Sequence, residues 1–235
     1  MEPRHNAFDQ PVGPDVGDWT PPPVPRRDVL EGTYARLEPL QPAEHADELY
    51  DANAEDDGRM WTYLPYGPFE TWAAYRAWLE EVAPAEDPIF YAIRNLDDGR
   101  LGGLTSYLRL APAMGSIEVG HLAFAPRLQR TRAATEAMFL QMRHAFDLGY
   151  RRYEWKCDAL NAPSMRAAER LGFVFEGTFR KSVVYKGRSR DTGWFAAVDE
   201  DWPAVRAGFE AWLAPSNFDA EGRQRRSLAL CRGAI

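Results

Sequence analysis

Apolar and polar positions along the chain change period in blocks, and the changes mark out the elements. Tyr34-Ala-Arg-Leu37 predicts a first strand, ended by Pro39. Pro42 suits the first turn of a helix, where a missing N–H costs nothing. Ala46, Leu49, Tyr50 and Asn53 follow at helical spacing, and Trp72, Tyr75, Leu79 and Val82 repeat it in a second amphipathic helix. An aromatic loop, Trp61-Thr-Tyr-Leu-Pro-Tyr66-Gly-Pro68, lies between them. The apolar run 89–93, the turn Asn95-Leu-Asp-Asp-Gly99 and the run 101–110 predict a hairpin. A turn at Pro112-Ala-Met-Gly115 leads into a strand over 116–124. Strict alternation there sets Ile117, Val119 and His121 on one face and Glu118, Gly120, Leu122 and Phe124 on the other.

Pro126 ends that strand, and 133–148 reads as a helix with Met138, Met142, Ala145 and Phe146 on one face, closed by Gly149. Tyr153-Glu-Trp-Lys-Cys157 is a further strand. Asn161-Ala-Pro-Ser164 caps a helix that stops at Gly172. Strands over 173–180 and 190–198 and a helix over 202–213 complete the pattern, with no internal repeat. Helices interleaved with meandering strands predict an α/β sandwich.

Composition narrows the class. Seven of the 18 prolines fall within residues 1–30, so 1–31 reads as a Pro-rich extended arm, either loose or pinned by Trp19 and Phe8. The main domain is expected over 32–200, with a C-terminal helix and tail over 201–235. A net charge of −7 argues against nucleic acid and against an anionic membrane surface. No apolar run reaches the length of a membrane span, and the opening residues lack the apolar core of a signal peptide. Two cysteines, Cys157 and Cys231, make no disulfide framework, so a cytoplasmic location is expected. Cys157 reads as a buried thiol. His5, His45, His121 and His144 have no metal-ligand spacing, so no metal is expected.

The charge is uneven. Between Arg127 and Lys156 there are seven basic and three acidic residues. Arg127-Leu-Gln-Arg-Thr-Arg132 stands where a strand feeds a helix N-terminus, whose unpaired N–H groups and dipole favour an anion such as phosphate. A solvated basic helix start is the plainer alternative.

In order and spacing, Pro126 with its turn, Ala134-Thr-Glu-Ala137, Asn161-Ala-Pro-Ser164 and Leu171-Gly-Phe173 resemble the GNAT N-acetyltransferases over residues 32–200, closest to the ribosomal-protein N-terminal acetyltransferase branch. The resemblance implies the GNAT fold, a mostly antiparallel mixed sheet flanked by helices. It also implies acetyl-CoA as cosubstrate and direct acetyl transfer to a primary amine in a ternary complex. The acceptor is a small-molecule amine or a protein N-terminus, and a homodimer is the implied assembly. A non-catalytic binding protein of the same fold, or an enzyme for a small antibiotic, toxin or amino-acid amine, are the rival readings.

Residue by residue, the resemblance assigns the coenzyme A pyrophosphate to the turn and helix start: Arg127, Gln129, Arg130, Thr131, Arg132, Ala133 and Ala134. Arg130 and Arg132 replace the family's two glycines. The arginines either keep the N–H cradle at negative φ and add guanidinium contacts, or leave a turn that no longer fits the cofactor. Strand 116–124 would offer backbone N–H to the acetyl oxygen, and Leu122, Ala123 and Phe124 would line the pantetheine. Asn161 would contact the cofactor arm, and Ser164 would protonate the departing thiolate. Glu118 is the expected base.

On the acceptor side, the aromatics Trp61, Tyr63, Tyr66, Phe69 and Trp72 form a candidate pocket, with His121 beside it and Glu55, Asp56 and Asp57 to attract a cation. Lys186-Gly-Arg-Ser-Arg-Asp191 reads as a turn, either solvated or paired with a substrate carboxylate.

Overall fold

The computed structural model describes residues 4–233; the first three residues of the arm and the last two of the tail lie outside them. In chain order the strands are β1 (Arg4–His5), β2 (Pro11–Val12), β3 (Leu30–Glu31), β4 (Ala35–Pro39), β5 (Ile89–Asn95), β6 (Leu101–Ala111), β7 (Ser116–Phe124), β8 (Arg152–Asp158), β9 (Val174–Tyr185) and β10 (Arg188–Val198). The helices are α1 (Pro42–Asn53), α2 (Trp72–Val82), α3 (Arg132–Asp147), α4 (Ala162–Leu171), α5 (Trp202–Leu213) and α6 (Leu228–Cys231). The expected elements all appear, with shifted ends. The last two strands form one long hairpin, and the turn narrows to Lys186-Gly187.

Strands β3 to β10 make one eight-stranded sheet in the order β3-β4-β5-β6-β7-β8-β10-β9. Every pairing is antiparallel except β7 with β8. This is the α/β architecture that the pattern predicted. Helices cover both faces. On one, Ala137, Met138 and Phe146 of α3 pack with Tyr107, Val119, Tyr153 and Trp155 of the sheet. On the other, Leu49 of α1 and Tyr75 and Leu79 of α2 pack with Phe90 and Leu104.

Segments at the two chain ends are woven into this frame. Trp19 donates its indole N–H to the Gly149 carbonyl at 3.1 Å, Pro22 and Pro25 are buried, and β3 extends the sheet. Trp19 therefore pins the arm, whereas Phe8 is 82% exposed. At the other end Phe209 stacks on Phe139 and Trp202 on Phe146, and Leu228 joins the same core. Glu136, buried in α3, accepts N–H bonds from Thr33, Tyr34 and Ala35. A Cβ at Gly32 would press on the Glu136 carboxylate and disturb these three bonds.

Candidate active site

The site grows out of a mismatch between two parallel strands. β7 and β8 pair only from Ser116↔Arg152 to Val119↔Trp155. From Gly120 onward the β8-facing edge of β7 carries no strand, while β8 stays paired to β10 as far as Asp158. The cause lies in β7. Leu104 faces Ala123 and Ser106 faces Gly120, so His121 and Leu122 share the single partner position of Thr105. This is a β-bulge with His121 at φ 52°.

The bulge overturns the alternation expected from sequence. His121 does not lie opposite Glu118. Its ring packs on Phe90, 4.9 Å between centroids, and on Tyr66, on the same side as Ala123 and Leu104. Leu122 and Phe124 cross over to pack with the α3 core. The extra residue advances the two-residue period by one, which reverses every face after it.

Beyond Phe124 the chain turns into α3. Ala125 O accepts from both Leu128 N and Gln129 N, and the Gln129 side chain donates to Phe124 O at 2.8 Å. Thr131 is the N-cap, its hydroxyl accepting from Ala134 N at 3.0 Å. The N–H groups of Arg132 and Ala133 precede the first intrahelical acceptors; Arg132 is half-buried and Ala133 is buried. β6 lies close beneath the turn. A Cβ on Gly102 would sit 2.7 Å from Leu128 Cβ, and one on Gly103 would sit 2.5 Å from Ala123 O.

The three arginines of this turn have different surroundings. Arg127 Nε lies 3.0 Å from Glu55, tying the turn to the end of α1. The Arg132 guanidinium lies between the rings of Tyr34 and Phe218, at 4.3 and 4.5 Å, and is committed to packing. Arg130 is exposed, and its φ is +63°. Its backbone therefore keeps a glycine-type conformation, against the expectation of negative φ. The Arg130 side chain is the one of the three left to solvent.

Glu118 is buried and contacts two cations, Arg109 Nη1 from β6 and Lys156 Nζ from β8, the latter at 2.8 Å. Burial raises its proton affinity above the ordinary carboxylate value; Arg109 and Lys156 oppose this without cancelling it. Lys156 also holds Glu154 at 2.7 Å and lies 3.8 Å from the Trp194 ring centroid. The Asp87 carboxylate accepts Arg109 N and Leu110 N. At the start of α4, Asn161 Oδ1 accepts Ser164 N at 3.2 Å, the expected cap. The Ser164 hydroxyl oxygen accepts the Trp155 indole N–H at 3.1 Å, which leaves its own proton free to donate. Cys157 is buried, its thiol is pushed up by burial, and its sulfur faces Met165 at 3.5 Å.

The aromatic loop folds over the α1–α2 face. Trp61, Tyr66 and Phe69 contact one another, and Tyr66 and Phe69 also meet Trp78, with Tyr66 and Trp78 centroids 4.3 Å apart. Trp78 was not visible as a partner in the pattern. Trp72 stands outside the cluster, 41% exposed and bonded to Asp47. Tyr66 Oη is 3.3 Å from His121 Nδ1. Burial, then the charge of Arg109, drops the His121 pKa to about 4, so the ring is neutral near pH 7. The acidic residues are engaged. Glu55 pairs with Arg127, Asp56 accepts Gly58 N and Met60 N, and Asp57 pairs with Arg59. Two links fasten the loop over the strand ends: Tyr63 Oη donates to Leu160 O at 3.1 Å, and Lys186 Nζ donates to Trp61 O at 2.7 Å. Two cavities flank Trp61. One of about 350 Å³ lies between α1, Asp57, Phe69 and Tyr75, and one of about 260 Å³ lies toward the β9–β10 hairpin.

Among the described residues no group of His, Cys, Asp and Glu is placed to hold a metal, and no helix is long and apolar enough to cross a membrane. Residues 35–174 match the family model described as acetyltransferase (GNAT) domain. A GCN5-related N-acetyltransferase from Brucella melitensis is 46% identical, with a TM-score of 0.91 over 93% of this chain and 100% of that one. A protein from Chromobacterium violaceum, described as a probable acetyltransferase of the GNAT family, is 40% identical, with a TM-score of 0.77 over 83% and 98%. The ribosomal L7/L12 alpha-N-protein acetyltransferase RimL shares the fold at 17% identity, with a TM-score of 0.62 over 73% and 94%. No curated protein matches the chain.

Proposed function

Because the chain belongs to the GNAT acetyltransferase family, we propose that it moves an acetyl group from acetyl-CoA to a primary amine by direct transfer in a ternary complex. The observation that carries this reading is the unpaired edge of β7 from Gly120 to Phe124 running into the N-terminus of α3. An extended thioester arm fits along the first, and a pyrophosphate fits at the second. The close approach of Gly102 and Gly103 and the glycine-type backbone at Arg130 support the same fit.

Acetyl-CoA supplies an activated acyl carbon. The chain's own residues have three tasks. Backbone N–H groups on the unpaired edge of β7, between Leu122 and Phe124, stabilise the developing oxyanion. Ser164, whose oxygen already accepts from Trp155, directs its proton to the leaving sulfur. Glu118 takes the proton of the incoming ammonium through water, a role that its raised proton affinity suits at neutral pH. Arg127, Gln129, Arg130, Thr131, Ala133, Ala134 and Asn161 hold the cofactor, whereas Arg132 props the helix against Tyr34 and Phe218. Trp61, Tyr66 and His121 wall the acceptor side. Cys157 argues against an acyl-enzyme, since a buried, raised thiol makes a poor nucleophile.

The test is coenzyme A binding followed by thiol release. Acetyl-CoA at 100 times its Kd should stabilise the fold by about 2.7 kcal/mol, and Glu118→Gln should slow release from a primary amine about 100-fold or more. Absence of any thermal shift with acetyl-CoA or CoA refutes the reading.

A further inference from the structure

The 260 Å³ cavity has an unbalanced wall. Gly58, Trp61 and Thr62 form one side, and Tyr185, Lys186 and Arg188 form the other. Two cations face this space and no carboxylate does. Lys186 is fixed by its bond to the Trp61 carbonyl. Arg188 is exposed, and neither residue takes part in an ion pair among the described residues. Arg190 stands just behind, its guanidinium 5.9 Å from the Tyr185 ring centroid and its Nε buried without a hydrogen-bond partner. The acidic groups nearby are occupied. Asp158 accepts the Tyr185 hydroxyl and Leu160 N, both at 2.8 Å, Asp57 is paired with Arg59, and Asp191 accepts Lys181 N.

Like charges around one cavity without a counter-ion repel each other, and an entering anion relieves both at once. A guanidinium also offers a carboxylate two parallel N–H bonds. The cavity lies at the reaction end of the molecule. Tyr185 is bonded to the last residue of β8 and Tyr63 to Leu160 just past it, where the strands have parted. Trp61, in its wall, meets Tyr66, and Tyr66 meets His121 on the bulge.

We propose that this cavity receives the acidic end of the acceptor, which is a small primary amine bearing a carboxylate, of free amino-acid type, with Arg188 and Lys186 as the groups that select it. The proposal rests on the acetyl-transfer reading above. A peptide N-terminus, which carries an amide at that position, lacks the group these cations would bind.

The experiment compares glycine, methionine, phenylalanine and glutamate with their α-amides as acceptors at a fixed acetyl-CoA concentration. The expected result is that at least one free acid exceeds its own amide about 10-fold or more in kcat/KM, mainly through KM. In Arg188→Met and Lys186→Met the ratio of acid to amide should collapse toward one, and Arg188→Glu should invert it. Both positions are exposed in a hairpin, and circular dichroism checks that each variant folds. A binding arm needs no turnover: N-acetyl amino acids should raise the Tm of the wild type more than their amides do, and Arg188→Met should abolish the difference. Amides equal to or better than acids in both arms, or a ratio unchanged in Arg188→Met, overturns the proposal. If CoA fails to bind, the acetyl-transfer reading falls separately.

Discussion

The two sides of the parted strands are built in opposite ways. The proposed pyrophosphate end is one continuous stretch: strand end, turn and helix start follow one another from Phe124 to Ala134, and the key bonds join residues three to five apart. The proposed acceptor side is assembled from three distant pieces: the loop around Trp61, the bulge at His121 and the hairpin turn at Lys186. A site made from consecutive residues is held by backbone geometry and tolerates little variation in shape. A site assembled from separate pieces changes its charge and size by exchange of single side chains. The contrast is the one expected of a fold that hosts many functions through exchange of single residues.

Four measurements break or sharpen this contrast. The largest effect is expected for Glu136→Ala in α3, which strands the buried N–H groups of Tyr34 and Ala35 and the exposed one of Thr33 and should cost about 3–5 kcal/mol in urea unfolding. A cost below 1 kcal/mol would mean that α3 is not anchored there. The next concerns His121. Its pKa falls from 6.5 to about 4 on folding, so the unfolded chain binds the extra proton between those values and stability declines as pH falls through the window. The contribution is about 3 kcal/mol at most. His121→Gln should flatten that part of the stability profile; an unchanged slope would place the titration elsewhere.

Third, the arginines of the turn should separate. Arg130→Gly relieves a left-handed arginine and should raise stability by about 1 kcal/mol. It should also weaken CoA about tenfold by calorimetry, if its exposed guanidinium meets phosphate. Arg132→Gln should lower stability by about 0.5–2 kcal/mol through loss of its aromatic contacts. Equal effects of the two on CoA affinity would erase the distinction between them. The smallest effect is expected for Tyr63→Phe, about 1 kcal/mol, seen as faster hydrogen exchange in residues 58–68 with α3 unaffected.

The same contrast decided what the sequence could reveal. Strand–turn–helix order, the Asn161 cap and the terminal glycines are local signals, and those elements stand within a residue or two of where the pattern placed them. Glu118 could be noticed as a charge inside a strand, but its partners Arg109 and Lys156 come from strands on either side, and no spacing rule links them. Trp78 and Trp72 are chemically equal in the sequence; only the roll of α2 buries the first among aromatics and turns the second to Asp47. Tail residues 202–228 look like an appendage by composition, yet Trp202, Phe209 and Leu228 belong to the main core. The inverted faces of β7 escaped because alternation assumes one residue per step, and a bulge spends two.

That bulge has a genetic consequence. Loops usually absorb the gain or loss of a codon, because their backbone has slack. At His121–Leu122 the count of residues determines whether the bulge exists, and with it the side of the sheet that His121 occupies. Deleting either codon would close the bulge: Ala123 and Phe124 would keep their sides, but His121 would be lost or carried away from Tyr66 to the α3 side, although composition would barely change. Length heterogeneity among descendants of this chain should therefore collect in segments such as 95–100 and 219–223, while the interval from Ser116 to Phe124 keeps its count even where its letters drift.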